Sequence, residues 1–301
     1  MSDRSSGRVE SRDVFGLLPG HVWQHFGNDS LCLWETNPMN RSYFHADRVA
    51  RLAGELSERE LAILSTLERV RLATGRQIET LHFDTNTSRH RRRVLQSLTD
   101  LRLVARLDRR IGGRRAGSAG HLFALDIGGQ HLLARVTNRE VRRPTTPGSR
   151  FILHVLAVTE IYVGLVLAER RGLIELQAFE AEPSSWRRFA GPGGGLAVAK
   201  PDAYVRLGVG GFLDSWFLEI DRATESASTL ARKADIYRAY YASGVEQKRH
   251  GVFPRVLWCV PHERRYQVVV DVCSRQPADA WALHQVTLTS DAVGLMSGAT
   301  P

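Results

Sequence analysis

Asn86-Thr-Ser-Arg-His-Arg-Arg-Arg-Val-Leu-Gln-Ser-Leu-Thr-Asp-Leu101 carries two patterns at once. Val94, Leu95, Leu98 and Leu101 recur at helical spacing and make one apolar stripe, while Arg89, Arg92, Arg93 and Gln96 project away from it. Upstream, Ser57-Glu-Arg-Glu60 is a capping-box pattern that opens a helix carrying Leu61, Leu64, Leu67 and Val70, and a short helix follows over about Thr74 to His82. Downstream come Leu103-Val-Ala-Arg-Leu-Asp108, a Gly/Arg loop over 111–120, and His121-Leu-Phe-Ala-Leu125, which together read as two strands about a glycine-rich turn. Three helices followed by a hairpin with a basic tip predict a winged helix-turn-helix domain over residues 55–136.

The chain has 301 residues, 43% hydrophobic and 24% charged, enough for about two domains at ~150 residues each. Its start, Met1-Ser-Asp-Arg-Ser-Ser-Gly-Arg8, has no apolar leader core, and no run reaches about 18 apolar residues; the expectation is a cytoplasmic protein with no membrane partner. Cys32, Cys259 and Cys273 are scattered and match neither a disulfide framework nor a zinc knuckle.

The net charge of +9 is unevenly placed: residues 1–150 hold 25 basic and 16 acidic side chains, residues 151–301 hold 16 of each. Between Asn86 and Arg115 ten arginines face two acids, Asp100 and Asp108. A charged helix face is ordinarily just solvated, but these arginines fall on the third helix and on the tip of the hairpin, where phosphate contacts position such a domain. Arg89, Arg91, Arg92 and Arg93 are therefore candidates for docking in the major groove of double-stranded DNA, and Arg109, Arg110, Arg114 and Arg115 for gripping flanking phosphates. Residues 1–54 show no sustained period and read as an arm without an assigned function. Residues 137–150, with two prolines and a glycine, read as a linker.

Beyond the linker, Phe151 to Arg171 is apolar on nearly every face, the pattern of a helix packed on both sides. Glu160 interrupts it, either as a carboxylate within an apolar surface or as a surface residue on a less buried side. Strand patterns follow at 174–180, 197–207 and 215–221, with 187–195 read as a turn. A helix capped by Thr224 then carries Leu230, Ala234, Tyr237 and Tyr241, and a last strand runs over 253–260. The fold class expected is α+β, with a C-terminal α/β domain over 151–301 of element order αβββαβ.

That order, with Pro201-Asp202 on the second strand and Glu219-Ile-Asp221 on the third, resembles the restriction-endonuclease-like core of the PD-(D/E)xK superfamily. The resemblance implies that Asp202 and Glu219 bind magnesium if the site is active, that Glu160 is the acid of the first helix, and that a lysine helps activate water. Asp221 stands where that lysine is expected. Lys233 on the next helix could take its place, and Lys200 is a weaker candidate. The implied catalytic set is Asp202, Glu219, Asp221, Lys233 and Glu160; the other reading is a degenerate site in which Asp221 and Glu225 are structural.

Arg109-Arg-Ile-Gly-Gly-Arg-Arg-Ala-Gly-Ser-Ala-Gly120, Ala181-Glu-Pro-Ser-Ser-Trp-Arg-Arg-Phe189, Lys200-Pro-Asp-Ala203 and Glu219-Ile-Asp-Arg-Ala-Thr-Glu-Ser226 give the span from about Ser57 to His262 a likeness to the replication-relaxation family. That resemblance implies a role in replication of plasmids or integrative elements, or in DNA relaxation during transfer, alongside other replication or transfer proteins. The leading expectation is a double-stranded DNA-binding protein. The alternatives are a magnesium-dependent nuclease or nickase and a winged-helix transcriptional regulator, the last of which predicts a dimer on a palindromic site.

Overall fold

Ser57 Oγ accepts from the amide of Glu60 while Glu60 Oε2 accepts from the amide of Ser57 at 2.9 Å, so the predicted capping box starts a helix where it is expected. The computed structural model describes residues 46–83, 88–110, 120–137 and 148–298. Helix α1 (Ala46–Glu55) lies within the stretch read as an arm and packs on α5 (Ile127–Thr137), burying Leu52. The remainder of that arm, residues 1–45, lies outside the described residues, as do 138–147 of the expected linker.

The capped helix is α2 (Glu58–Val70), followed by β1 (Ala73–Thr74), α3 (Gly75–His82), α4 (Ser88–Asp100), β2 (Val104–Arg110) and β3 (His121–Leu125). Thr74 and Gln77 repeat the reciprocal cap at the start of α3. β3 pairs antiparallel with both β1 and β2, giving the order β1-β3-β2. Gly129 lets α5 sit against this sheet, since a Cβ there would lie 2.2 Å from the Leu103 carbonyl oxygen.

Helix α6 (Ser149–Arg170) leads into β4 (Glu175–Ala181), the hairpin β5 (Arg187–Ala190) and β6 (Leu196–Ala199), then β7 (Ala203–Val209), β8 (Phe212–Ile220), α7 (Ala227–Ser243), α8 (Val245–His250), β9 (Arg255–Val260), α9 (Glu263–Ser274), α10 (Ala278–Trp281), β10 (His284–Leu288) and α11 (Ala292–Met296). The sheet order is β10-β9-β8-β7-β4, antiparallel from β4 to β8 and parallel from β8 to β10. Gly210 and Gly211, at φ 55° and 87°, form the two-residue turn between β7 and β8, a conformation that favours glycine at both positions.

Period-two alternation divides the core into two layers. Val205, Leu207, Trp216, Leu218 and Ile220 face α6 and α11, whereas Tyr204, Phe217, Val256 and Trp258 face α7 and α9. The first cluster continues through Ile63, Leu64 and Leu67 of α2, Ile78 of α3 and Leu95 and Leu98 of α4. Residues on both sides of 137–150 thus share one core, and the described chain belongs to one compact unit, 44–301.

Three expectations change. The single strand over 197–207 is two, because Pro201 has no amide proton to continue a ladder; β6 pairs with β5, and β7 joins the main sheet. Residues 187–190, read as part of a turn, form β5. The cap of α7 is Ser226, whose Oγ accepts from Thr229 N at 3.2 Å, not Thr224. By length and composition α6 could cross a membrane, although His154, Thr159 and Glu160 interrupt its apolar run as expected; 56% of its most apolar stretch is buried, and it contacts α2, α3 and the sheet.

Candidate functional site

On α4, Leu95 and Leu98 are buried and Val94 and Leu101 half-buried, while Arg89, Arg92, Arg93 and Gln96 are exposed. Arg91 departs from the group: it is 3% exposed and its guanidinium is ion-paired with Glu79 of α3, so it fastens the two helices together rather than facing outward with its neighbours. Arg59, which sequence reading passes over, reaches α4 from α2. Its Nη1 donates to His90 Nε2 at 3.0 Å and its guanidinium lies over the Phe83 ring at 5.2 Å. Arg109 and Arg110 end β2; Arg114 and Arg115 lie outside the described residues.

The second cluster forms where β7 begins and β8 ends. Ala203 is opposite Leu218 in the antiparallel ladder, so Asp202 and Glu219 flank the last registered pair; Asp202 N donates to the Leu218 carbonyl at 2.9 Å, and Glu219 reaches α7. Asp202 Oδ2 accepts from the amide of Ile220 at 2.6 Å, and its Oδ1 lies 3.2 Å from His154 Nε2 on α6. Glu219, 2% exposed, accepts from Tyr237 OH at 2.6 Å on Oε1 and from Lys233 Nζ at 2.8 Å on Oε2. Lys233 Nζ is also 3.0 Å from Glu225 Oε1. Asp221 pairs with Arg265 Nε of α9 and accepts from Ala223 N at 2.9 Å, while Arg265 Nη2 donates to the Glu225 carbonyl at 2.8 Å.

Burial, and then the Asp202 charge, raise the Glu219 pKa to about 7. Burial opposes the charge on Lys233, but Glu219 and Asp202 outweigh it and hold the ammonium well above its usual range. The hydrogen bond to Asp202 raises His154 against the opposing effect of burial.

Of the residues that the nuclease resemblance implies, Asp202, Glu219 and Lys233 come together, with Asp221 at the edge of the cluster. Glu160 does not join them. It is exposed and accepts from Gln77 Nε2 at 2.8 Å, six residues and about 9 Å along α6 from His154, the residue of that helix that does reach Asp202. Lys200 is exposed and sits over the Trp186 ring at 4.6 Å. Sequence reading missed His154 and Arg265 because neither lies in the motif; only strand register and helix packing bring them to it.

The donor set does not fit the magnesium ion that the resemblance implies. Both oxygens of Asp202, Glu219 and Asp221 already have protein donors, and Lys233 stands between Glu219 and Glu225. Among the cluster's carboxylates, Glu225 Oε2 alone has no hydrogen-bond partner, and one oxygen is not a magnesium shell. Among the described residues no group of three His, Cys, Asp or Glu side chains is arranged to hold a metal ion.

Compared with known protein families, residues 64–256 match the replication-relaxation model. No curated protein and no solved structure matches the chain.

Proposed function

The chain belongs to the replication-relaxation family, and from that premise we propose that it is a double-stranded DNA-binding protein of plasmid or mobile-element replication or transfer, docking through α4. The observation that carries this reading is the outward face of α4, where Arg89, Arg92, Arg93 and Gln96 are exposed while the opposite stripe is held in the core. Support also comes from the order of elements. Helix, short strand, helix, helix and hairpin, with β1 paired to β3, is the arrangement of a winged helix, whose third helix enters the major groove. The arginines of the hairpin, Arg109, Arg110, Arg114 and Arg115, are the proposed phosphate contacts beside it.

The order α6, β4, β7, β8, α7, β9, antiparallel and then parallel, supports a PD-(D/E)xK-like reading of the C-terminal part. Its proposed role is that of an accessory or assembly module, because its acids are committed to protein donors.

Replacing Arg92 and Arg93 by Ala should weaken binding to a duplex in a gel shift at moderate salt. It should also flatten the dependence of log K on log salt by about 1.8, at ~0.9 for each phosphate that is no longer neutralised. Binding and slope unchanged in the double variant would remove α4 from the interface. Incubation with supercoiled plasmid and magnesium or manganese is expected to give no nicking, and nicking that Asp202→Ala abolishes would replace the accessory role with a nuclease.

A further inference from the structure

Three acids where β7 begins and β8 ends are each met by a basic side chain from a different helix. Asp202 meets His154 of α6, Glu219 meets Lys233 of α7, and Asp221 meets Arg265 of α9. No two of these bases come from one element, and each acid is at most 8% exposed. The remaining oxygens are filled by Ile220 N, Tyr237 OH and Ala223 N, two of them from the backbone beside the acids. Lys233 is the centre of this arrangement, with its ammonium 2.8 Å from Glu219 and 3.0 Å from Glu225, between acids that would otherwise repel.

We infer that Lys233 is the resident cation of this acidic site, standing in place of a divalent metal, and that the cluster is an ion-pair keystone fastening α6, α7 and α9 to the sheet. Two neighbouring buried carboxylates that both stay ionised need positive charge. A divalent ion would supply it from solution; this chain supplies it from α7. The site is then complete without a metal, and its contribution is to hold the helices in register. This inference does not depend on the DNA-binding reading: loss of duplex binding on changing α4 tests that reading and leaves the keystone untouched.

The test uses the full chain. Titration with Mn2+, followed by the loss of its free electron-spin-resonance signal, is expected to show no saturable binding up to millimolar metal. Saturable binding that Asp202→Asn removes would overturn the inference, and this arm needs no variant that might fail to fold. In a second arm, Lys233→Met leaves Glu219 buried without its cation and should lower the melting temperature by roughly 5–10 °C. Adding Glu219→Gln to that variant replaces the acid left without its cation and should restore at least half of the loss. A Lys233→Met protein as stable as the parent, or a second substitution that only adds to the loss, would show that the pair is no keystone.

Discussion

His82 and His284 carry a pH dependence that can be worked out in sign. Burial lowers both to about 4, with Arg170 and Arg59 adding to the effect at His82. Each ring is held by a neutral partner: Thr66 Oγ1 is 3.0 Å from His82 Nε2, and Trp258 Nε1 donates to His284 Nδ1 at 3.2 Å. Because both folded values lie below the free value of 6.5, the unfolded chain takes up these protons first as pH falls. The stability they contribute is complete above about 6.5 and is lost as pH drops toward 4, at most about 3 kcal/mol per histidine. His154 has the opposite sign, contributing in acid and fading as pH rises through its raised value. Urea midpoints at pH 7 and pH 4.5 should therefore differ less for His284→Gln than for the parent; an equal difference would show that His284 is not held neutral. Little of this was legible in the sequence, since a histidine's burial depends on what packs over it. Arg91 gives the same lesson beside a success. The helical projection separates Arg89, Arg92, Arg93 and Gln96 from the apolar stripe, and those four are exposed, but the fate of Arg91 depends on Glu79 of a different helix.

Among the elements, those with a local signal were legible. The cap at Ser57, the apolar, strand-like runs of β3 and β8 and the all-round apolar α6 follow from residues within each segment. α5 has no such signal, because Gly128 and Gly129 near its start read as a break rather than as a helix. Packing gives the reason for the second glycine. On propensity alone Gly129→Ala should stabilise a helix by about 1 kcal/mol. In this fold the added methyl would meet the Leu103 carbonyl oxygen at 2.2 Å and Leu125 Cδ2 at 3.0 Å, and the oxygen belongs to backbone that is held by Asp126 N at 3.0 Å. The expected outcome is a net loss of about 2 kcal/mol in chemical denaturation, within the range of overpacked cores. A gain would mean that α5 is free to move off the sheet. The break between β6 and β7 belongs at this scale too: Pro201 was visible in the sequence, but continuous alternation across it concealed the change of sheet partner.

At the scale of the molecule, the charge asymmetry was legible by counting, whereas the way the two halves join was not. The sequence places a linker and a domain boundary at 137–150, yet buried and half-buried links join the elements on either side. Thr159 Oγ1 of α6 donates to the Leu72 carbonyl at 2.8 Å, Arg69 Nη1 donates to Tyr162 OH at 2.9 Å, and Gln77 Nε2 donates to the Leu156 carbonyl at 3.3 Å. Ile63, Leu64, Leu67 and Ile78 share one apolar cluster with Val158, Ile161, Tyr162 and Leu165. Cutting the chain there would expose the apolar α6 residues that pack on α2 and α3, and exposed apolar surface drives association. The fold is therefore expected to unfold in a single calorimetric transition whose measured enthalpy equals its van't Hoff enthalpy. Residues 151–301 produced alone should aggregate or bind a hydrophobic dye. Two resolved transitions, or a soluble fragment with native-like near-ultraviolet circular dichroism, would mean that the α2–α6 contacts are an interface between independent domains. In the single-transition case α4 is rigidly coupled to the sheet, and a substitution in either half should lower the stability of both.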